Sequence, residues 1–560
     1  MNCRSEIKLN VWQIVFLTSL CVISVLIATI GWFRTIDPVE YGASPSRTPN
    51  KATSVVHSHL RAMPYLDDIG SPPLLNNPHS YIQWTFLQMN DVYEMIPLGG
   101  GKKGGLARVA TIRNLLLQEN PNTITVVSGD IVSPSALGNS KVNGIPLDGK
   151  QMIATFNVLG VDYATLGNHE FDLQEQSLRL RLNESHFKWI ASNVYERNST
   201  KPFHNILPYK IVKISNVTIL LIGLTIDDNL GPIPDKPYVN ITSQRELPEF
   251  TAHYIKHLRH DLHLKWDVLI CLTHVNMQND IEIVEHNPSI DVLMGGHEHE
   301  NYYLKRGSKY TPIYKADDNA FTVYIHRFAY HPQKKQLLIY SKLTRVSPHF
   351  PDEPKTAQVA KYYYETGLQS YRIEGYEPDR IVCTLPVGFN LDGRSAMIRS
   401  QQTHLSHALC NAVMNATNTT ICVFNSGAIR LDDQLMGTIS QYDILRCLPF
   451  TANLTTVHIN GSSLVKVLTR GLSSINTGMY ITYAGLEYDT TTEKWFLASN
   501  KQLVDDEHLQ LTFVTIPYFF HNTELKSTSK IVNNHTTTMT RAFINYLERT
   551  YAKDIHHKSS

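Results

Sequence analysis

The sequence predicts a two-domain α/β protein that is preceded by one transmembrane helix. A chain of 560 residues is too long for one ordinary hydrophobic core. Short apolar runs alternate with amphipathic segments over residues 82–345, and a second apolar-periodic region covers residues 377–555. Ahead of both lies an uncharged apolar run, residues 11–33. We call residues 82–345 the first block and residues 377–555 the second block.

The apolar run near the N-terminus is long enough to cross a membrane. Its 23 residues, VWQIVFLTSLCVISVLIATIGWF, would span about 35 Å as a helix. Arg4 and Lys8 precede it, which favours a cytoplasmic tail over residues 1–10 and a single-pass type II signal-anchor protein. A cleaved signal peptide, which would release a secreted protein, is the alternative, but its apolar core normally has only ~7–15 residues.

The rest of the chain is typical of an extracellular or lumenal glycoprotein. Residues 34–81, rich in Pro, Ser and Asn, are predicted to form a stalk. Nine Asn-x-Ser/Thr acceptor sites follow, at Asn183, Asn198, Asn216, Asn240, Asn415, Asn418, Asn453, Asn460 and Asn534. The 51 basic and 50 acidic residues leave a formal charge of +1, so the chain has no basic footprint for a nucleic-acid polymer. The sequence leaves a homodimer open.

Six apolar runs in the first block are predicted to be buried strands: WTFLQM, TITVVSG, DYATLG, TILLIGL, WDVLICLTH and DVLMGG. The segment GGLARVATIRNLLLQEN is predicted to be a helix, because its apolar positions 106, 109, 112 and 116 share one face. A linking helix is expected within residues 346–376, at KTAQVAKYYYETGLQSYR.

Metal-ligand residue types follow five of these strands. They are Asn90 and Asp91, then Asp130, then Asn168 with His169 and Asp172, then His274, and finally His297 with His299. Because ligands of an α/β sheet bind outside the carboxyl ends of its strands, we expect these side chains to converge on one cleft. Their nitrogen and oxygen donors suit zinc, manganese or iron. Taken singly, each segment is explained as well by a turn, a helix cap or a buried histidine with a satisfied partner.

The order Asp, Gly-Asp, Gly-Asn-His-Glu, His, Gly-His-x-His resembles the metallophosphoesterases, and in particular the 5′-nucleotidase family, over residues 82–530. The resemblance implies an N-terminal metallophosphoesterase α/β sandwich and a C-terminal α+β nucleotide-binding domain. It also implies two divalent cations, zinc or manganese. One cation would be held by Asp91 and His299, the other by Asn168, His274 and His297, and Asp130 would bridge them.

The same resemblance implies a mechanism. Two cations ~3.5–4 Å apart neutralise a phosphate dianion and activate a water molecule for attack on phosphorus. His169 would act on the transferring phosphoryl group or the leaving oxygen, and Asp172 would orient its imidazole.

Tyr93 departs from the family pattern, which has a ligand His at this position in Asp-x-His. A phenol with a pKa near 10 is a poor zinc ligand at neutral pH, although a metal can lower that value. Three outcomes stay open. Tyr93 binds the first metal as a phenolate, it hydrogen-bonds a metal-bound water, or the first metal site is lost.

The second block resembles the family's substrate domain. FNSGAIR supplies Asn425 and Arg430, IRSQQ supplies Arg399, and Phe450 and Phe519 stand where the family holds the base between two rings. Core packing is the alternative for both phenylalanines. The family's ribose-binding Asp is missing, and Glu524 is its nearest substitute. Cys410 and Cys422 match the positions of a disulfide in animal members of the family, whereas Cys271, Cys383 and Cys447 have no evident partner.

The function predicted from this resemblance is a metal-dependent ecto-phosphohydrolase that removes phosphate from nucleoside 5′-monophosphates. A second interpretation keeps the enzyme but moves the cleaved bond to the pyrophosphate of nucleoside di- or triphosphates or of UDP-sugars. A third interpretation is a non-catalytic surface protein that binds a nucleotide.

Overall fold

The computed structural model of the protein describes residues 66–204, 206–227, 238–450 and 453–551. The predicted cytoplasmic tail, the predicted transmembrane segment 11–33 and most of the predicted stalk lie outside these residues, so the type II topology stays a prediction. Within the described part, none of the helices combines the length and apolar character that a membrane crossing requires.

The first block contains sixteen strands among its described residues. In chain order they are β1 (Ile82–Met89), β2 (Thr123–Ser128), β3 (Lys141–Val142), β4 (Ile145–Pro146), β5 (Tyr163–Thr165), β6 (Lys188–Trp189), β7 (Val194–Glu196), β8 (Lys210–Ile214), β9 (Val217–Thr225), β10 (Val239–Ile241), β11 (Val268–His274), β12 (Val292–Gly295), β13 (Tyr302–Arg306), β14 (Thr311–Lys315), β15 (Thr322–His331) and β16 (Gln336–Arg345). All six predicted strands are among them.

Two six-stranded sheets make the α/β sandwich that was predicted. The first has the order β16-β15-β1-β2-β5-β6, and β1, β2, β5 and β6 run parallel. The second has the order β13-β14-β12-β11-β9-β8, and β9, β11, β12 and β14 run parallel. Trp84 of β1 belongs to the apolar cluster between the sheets and stacks on Phe328 of the neighbouring β15, with ring centroids 5.2 Å apart. The inner faces of both sheets therefore form one apolar layer.

Helices cover the outer faces of the two sheets. Those of the first sheet are Leu106–Glu119, Ala136–Asn139, Lys150–Leu159 and Glu175–Glu184, and those of the second are Leu247–His260 and Met277–His286. The predicted helix over GGLARVATIRNLLLQEN corresponds to Leu106–Glu119, whose Leu106, Val109, Ile112 and Leu116 are all buried. The apolar period of the sequence thus predicts the buried face correctly.

The carboxyl ends of the parallel strands meet at one edge of the sandwich, and two glycines let them approach. A Cβ on Gly129 would lie 2.4 Å from the His274 ring, and a Cβ on Gly167 would lie 2.1 Å from Oδ1 of Asp130. Glycine precedes Asp130 and Asn168 in the sequence because any side chain there would collide with the residues of the cleft.

The second block is built around one five-stranded sheet, which has the order β23-β19-β26-β22-β27. The strands of the whole block are β17 (Ile381–Thr384), β18 (Leu391–Asp392), β19 (Cys422–Asn425), β20 (Gln434–Leu435), β21 (Thr438–Ser440), β22 (Asn453–Asn460), β23 (Ile481–Ala484), β24 (Leu486–Asp489), β25 (Lys494–Leu497), β26 (Gln510–Thr515) and β27 (Lys530–Thr538). The helices of the block are Ser395–Ile398, His404–Thr417, Gln441–Cys447, Gly461–Ser473, Pro517–His521, Leu525–Thr528 and Met539–Tyr551.

A disulfide joins Cys410, in helix His404–Thr417, to Cys422 at the start of β19. This confirms the predicted pair. The other cysteines among the described residues, Cys271, Cys383 and Cys447, are buried and unpaired.

The predicted linking helix spans Pro354–Ile373 and packs on the first block. The Tyr371 hydroxyl donates to the carbonyl of Ala136 (2.6 Å), and the Ser370 hydroxyl accepts from the backbone of Lys141 (2.7 Å). The linking helix is therefore attached to the first block, and the connection to the second block begins after Ile373.

The predicted stalk ends earlier than residue 81. Ile69 is fully buried, and Arg327 on β15 donates to the carbonyls of Ile69 and Gly70 (both 3.1 Å). The short helix Leu66–Ile69 is thus attached to the outer strands of the first sheet. Composition missed this because the attachment uses backbone carbonyls, which any residue supplies.

Candidate active site

The two carboxylates at the centre of the cleft each have one oxygen held and one oxygen turned inward. Asp91 Oδ2 accepts from the Asn90 amide (2.8 Å) and from the backbone of His297 (2.9 Å). Asp130 Oδ1 accepts from the backbone of His169 (2.9 Å). Both side chains are almost fully buried, and their remaining oxygens face the imidazoles described next.

Two buried imidazoles are oriented in the same manner, with one nitrogen held and the other facing the carboxylates. Nδ1 of His274 lies 2.8 Å from the carbonyl oxygen of Ser128, which leaves Nε2 at 3.3 Å from Asp130 Oδ2 and 3.9 Å from Asp91 Oδ1. Nε2 of His299 lies 3.5 Å from Asp91 Oδ1, while its Nδ1 faces Asp432 of the second block.

The charges of these groups are strongly perturbed by burial and by one another. Burial opposes the charged form of His274, but Asp130 and Asp91 outweigh it and raise its pKa to about 10. Burial likewise opposes ionisation of Asp130, but the charges of His274 and His169 lower its pKa below the usual range. The pKa of Asp91 is raised by burial. Such shifts are typical of a functional site.

Tyr93 lies among the predicted ligands of the first metal. Its hydroxyl is 2.9 Å from Asp130 Oδ2, 3.4 Å from Asp91 Oδ1 and 3.2 Å from His299 Nε2. Burial, with the charges of Asp130 and Asp91, raises the pKa of Tyr93 well above 10. The phenol oxygen thus contacts all three groups to which the first metal was assigned.

The remaining predicted residues of the first block lie around this centre. Asn168 Oδ1 is 3.2 Å from Nδ1 of His297, and the His297 ring is 5.3 Å from the ring of His274. Nδ1 of His169 is 2.6 Å from Asp172 Oδ2, which agrees with the predicted orienting pair. The strand-end residues singled out from the sequence therefore do converge on one cleft.

The sequence analysis gave no role to Glu170, which binds the backbone beside the central residues Asp130 and Asn168. Its carboxylate accepts from the backbone of Asp130 (3.0 Å), Ile131 (2.6 Å) and Gly167 (2.5 Å). Burial and the charge of Asp130 raise the pKa of Glu170 to about 7. A carboxylate inside a strand-end motif was the available signal, but only the folded chain shows that it binds backbone amides.

A buried ion cluster behind the Gly-His-Glu-His segment was also missed. Nζ of Lys315 donates to the carbonyl of Val275 (2.7 Å), lies 2.7 Å from Asp280 Oδ2 and contacts the Glu298 carboxylate. Lys315 and Asp280 are fully buried, and burial raises the pKa of Asp280 to about 6 against the opposing charge of Lys315. Since Glu298 separates His297 from His299, the cluster fixes the backbone that carries both imidazoles.

The two predicted arginines of the second block reach the cleft. Nη2 of Arg430 is 3.5 Å from the Tyr93 hydroxyl, and its guanidinium lies 5.5 Å from the centre of the Tyr93 ring. Burial and the neighbouring charge of Arg430 lower the pKa of Arg399. Nε of Arg399 is buried without a hydrogen-bond partner among the described residues. Two adjacent cations with an unused donor indicate a place for an anion.

The other predicted substrate residues differ in exposure. Asn425 donates to the carbonyl of Gly478 (3.0 Å), while its Oδ1 is buried with no partner in the described part of the chain. Phe450 is 37% exposed, whereas Phe519 is only 1% exposed. Phe450 presents a face that could stack on a base, but the burial of Phe519 agrees with the core-packing alternative in this conformation. Glu524 pairs with Arg470.

The donor set fits divalent cations. Nε2 of His274 is buried, has no hydrogen-bond partner among the described residues and faces two carboxylate oxygens. Donor atoms of Asp91, Asp130 and His274 lie within 4.8 Å of one another, and so do those of His299, Asp318 and Asp432. Imidazole and carboxylate donors at this spacing suit zinc or manganese. The division of ligands between two metals stays a prediction.

Comparison with known proteins agrees with the geometry. The calcineurin-like phosphoesterase family matches residues 85–301, and the 5′-nucleotidase C-terminal domain matches residues 382–506. The 5′-nucleotidase of Mus musculus is 22% identical over 433 residues, which cover 70% of this chain and 71% of that protein.

Two solved structures share the fold. A 5′-nucleotidase precursor from Thermus thermophilus aligns with a TM-score of 0.70 at 17% identity, over 83% of this chain and 96% of that one. The sulfate thiohydrolase SoxB from the same organism aligns with a TM-score of 0.65 at 14% identity, over 86% of this chain and 95% of that one. The site and the two matched domains together show that the chain belongs to the 5′-nucleotidase family and is a metal-dependent phosphoric ester hydrolase.

Proposed function

We propose that this protein removes the 5′-phosphate of nucleoside monophosphates, with two divalent cations and with its active site on the extracellular or lumenal side of a membrane. The observation that carries the proposal is that two sets of charged side chains, one from each block, lie next to each other around Tyr93. The carboxylates and imidazoles of the first block suit cations, and Arg399 and Arg430 of the second block suit an anion. A phosphate ester bound between them is contacted by both.

The arginines would bind the phosphate. Planar guanidinium groups form paired hydrogen bonds with phosphate oxygens. Arg399 has an unused buried donor among the described residues, and Arg430 is held beside Tyr93. Divalent cations at the carboxylate centre would neutralise phosphate charge and lower the pKa of a bound water.

His169 would supply a proton to the leaving oxygen. Because Nδ1 faces Asp172 at 2.6 Å, the proton that this imidazole exchanges with substrate is the one on Nε2. The backbone of His169 also donates to Asp130, so the general acid is held in a fixed position relative to the central carboxylate. Asp172 orients the ring through its contact with Nδ1.

The partly exposed ring of Phe450 would stack on the base, because a flat aromatic face suits a purine and a pyrimidine alike. Phe519 would take part only if it left its buried position. The alternative substrates, nucleoside di- and triphosphates and nucleotide-sugars, need the same centre and differ in how many phosphates lie between the nucleoside and the cleaved bond.

The test is a substrate panel on the full-length chain purified in detergent. Nucleoside 5′-monophosphates, di- and triphosphates, a UDP-sugar and p-nitrophenyl phosphate are each assayed after chelation and after adding back zinc or manganese. We expect inorganic phosphate from the monophosphates, loss of activity with chelator and recovery with metal. Cleavage only at a pyrophosphate would favour the second interpretation. Nucleotide binding without turnover at saturating metal would favour the non-catalytic binder.

The proposed topology is tested on intact cells. The acceptor sites beyond residue 182 and the apolar segment 11–33 predict that external protease removes the folded part and that glycosidase lowers its mass. Protection of residues 34–560 from protease, with no glycan, would contradict it.

A further inference from the structure

His299 is the one predicted metal ligand that contacts a carboxylate of the second block among the described residues. Its Nε2 faces the centre of the first block, 3.5 Å from Asp91 Oδ1. Its Nδ1 lies 2.9 Å from Asp432 Oδ2, an ion-pair distance, although the direction is not that of a well-aligned hydrogen bond. The two nitrogens of one imidazole therefore face two different blocks.

Asp432 is held in place on its own side. Its Oδ1 accepts from the backbone of Ser395 (3.2 Å) and from the Ser395 hydroxyl. Both His299 and Asp432 are buried, with side-chain exposures of 5% and 4%. Asp432 also has a positive φ of 46°, so its carboxylate is directed by a strained loop as well as by hydrogen bonds.

A structural role alone does not explain this carboxylate well. Asp432 lies in a group with Asp318, a residue that is 2% exposed, and two buried carboxylates beside each other are unfavourable without a cation or a proton. An apolar residue would close the same interface at lower cost. A carboxylate that orients a metal-binding imidazole through its second nitrogen is, in contrast, a common arrangement in metal sites.

We propose that Asp432 is a positioning residue for the first metal: it holds the ring of His299 from across the interface, so that the second block completes a metal site of the first. This inference rests on one part of the proposed function, the two-metal centre, and not on the hydrolysis of nucleotides. It assigns Asp432 no contact with substrate or metal.

The proposal links metal binding in the first block to phosphate binding by Arg430 in the second. Asp432 follows Arg430 by two residues in the same loop, and Arg430 reaches Tyr93. Movement of this loop would therefore displace the phosphate-binding guanidinium and the carboxylate behind His299 together. A protein whose second block is displaced should bind its first metal more weakly.

The test compares Asp432→Asn with Asp433→Asn in the full-length protein. The first substitution keeps the shape of the side chain and removes its charge. Asp433 is the neighbouring carboxylate, which pairs with Lys103 (2.9 Å) rather than with an imidazole, and so serves as the matched control. Zinc binding is measured without substrate, by calorimetry and by metal content per chain, together with the melting temperature in chelator and in zinc.

We expect Asp432→Asn to weaken one of two zinc sites by about 10- to 100-fold and to leave the other unchanged. The melting temperature in chelator should stay the same, while the increase caused by zinc becomes smaller. Asp433→Asn should bind both zinc ions as the unmodified protein does. In a His299→Ala background, Asp432→Asn should have no further effect, because its only route to the metal is gone.

Any one of four results would overturn the proposal. Unchanged zinc affinity in Asp432→Asn would remove the role. Equal weakening of both sites, or a lower melting temperature in chelator, would make the residue structural. Three zinc ions in the unmodified protein and two in the variant would make Asp432 a ligand. None of these depends on nucleotide hydrolysis: a protein that binds two zinc ions but turns over no nucleotide refutes the proposed function and leaves this inference standing.

Discussion

The two blocks differ in where their functional side chains stand on the fold. In the first block they follow parallel strands: Asp91 follows β1, Asp130 follows β2 and His274 ends β11. In the second block they stand in irregular segments, since Arg399 follows the short helix Ser395–Ile398 and Arg430 follows a single turn after β19. The topology of parallel sheets brings the first set together, whereas the second set reaches the cleft only because the blocks pack on each other.

That packing is itself polar and specific. Glu94, just beyond β1, accepts from the Tyr442 hydroxyl (3.2 Å) and lies 3.5 Å from Arg446 Nε. Burial raises the pKa of Glu94 despite the opposing charge of Arg446. A first block that carries the chemistry and a second block that carries recognition should respond differently to mutation, and the following predictions test that division.

The largest effect is expected at the centre of the first block. Asp130→Ala removes the carboxylate that contacts Tyr93, His274 and the backbone of His169. Turnover should fall below detection and most of the bound metal should be lost, as measured by phosphate release and by metal content per chain. Activity within about tenfold of normal would show that Asp130 is not the central ligand.

His169→Ala should separate chemistry from metal binding. Loss of a general acid typically costs about 10²–10⁴-fold in turnover. Both metals should stay bound, because the contact of this residue with the central carboxylate is made by its backbone N–H, which donates to Asp130 Oδ1 and which the mutation keeps. Loss of metal together with turnover would instead place His169 among the ligands.

Sequence reasoning succeeded where position on the strand determines position in space. The six strands, the helix Leu106–Glu119 and the convergence of the strand-end residues follow from apolar period and from the rule for parallel sheets. The disulfide between Cys410 and Cys422 followed from family resemblance rather than from spacing.

It failed where a contact depends on distant packing. Asp432 stands two residues after a recognised motif, yet its partner His299 is 133 positions earlier, and nothing local connects them. Lys315 follows the short apolar stretch of residues 312–314 at the end of β14, and this stretch alone did not indicate a buried ion pair. Its partners, Asp280 and Glu298, could not be identified before the strands were placed.

Acid should destabilise the first block through His326, which lies on β15 inside the sandwich. Its Nε2 is 2.9 Å from the Gln88 amide oxygen and its Nδ1 is 2.7 Å from the Ser341 hydroxyl. Burial lowers the pKa of His326 to about 3 from 6.5. The unfolded chain therefore binds a proton below pH 6.5 that the folded protein does not, and stability falls as pH decreases from 6.5 towards 3.

At about 1.36 kcal/mol per pKa unit, His326 lowers the free energy of unfolding by about 4–5 kcal/mol between pH 6.5 and pH 3, and by about 2 kcal/mol at pH 5. Urea unfolding at about pH 7.5 and about pH 5 measures it. His326→Gln should flatten this part of the pH dependence, whereas the exposed His253→Gln should not. The same slope in both variants would assign the acid sensitivity elsewhere.

Arg430→Lys should affect recognition more than chemistry. A lysine keeps the charge but loses the paired donors of the guanidinium, and a hydrogen bond to a charged group contributes about 1.5–3 kcal/mol. KM for a nucleoside monophosphate should increase about tenfold or more, while metal content stays normal. Arg394→Lys is the control, because Arg394 pairs with Asp392 and its side chain is half exposed. A large fall in kcat at constant KM would show that Arg430 acts in the chemical step rather than in substrate binding.

Tyr93 is the residue at which the division between blocks is least clear. Its hydroxyl contacts Asp130, Asp91 and His299 of the first block and receives a contact from Arg430 of the second. Burial and the two carboxylates disfavour its phenolate in the metal-free protein, and its hydroxyl already donates to Asp130 Oδ2 (2.9 Å). We therefore expect the residue to act as a neutral hydrogen-bond donor rather than as a metal ligand.

The smallest effect is accordingly expected from Tyr93→Phe. It should keep both metals and change turnover by only about threefold, since a single uncharged donor is worth about 0.5–1.5 kcal/mol. Tyr93→His adds a nitrogen that needs no deprotonation above about pH 6.5, so it should tighten the first metal and reduce the metal that the assay requires. Activity and metal content against free zinc measure all three proteins. If Tyr93→Phe loses one metal, the phenolate is a ligand after all. If the unmodified protein holds one metal and is inactive while Tyr93→His holds two and is active, the natural chain is a nucleotide binder that has lost its catalytic centre.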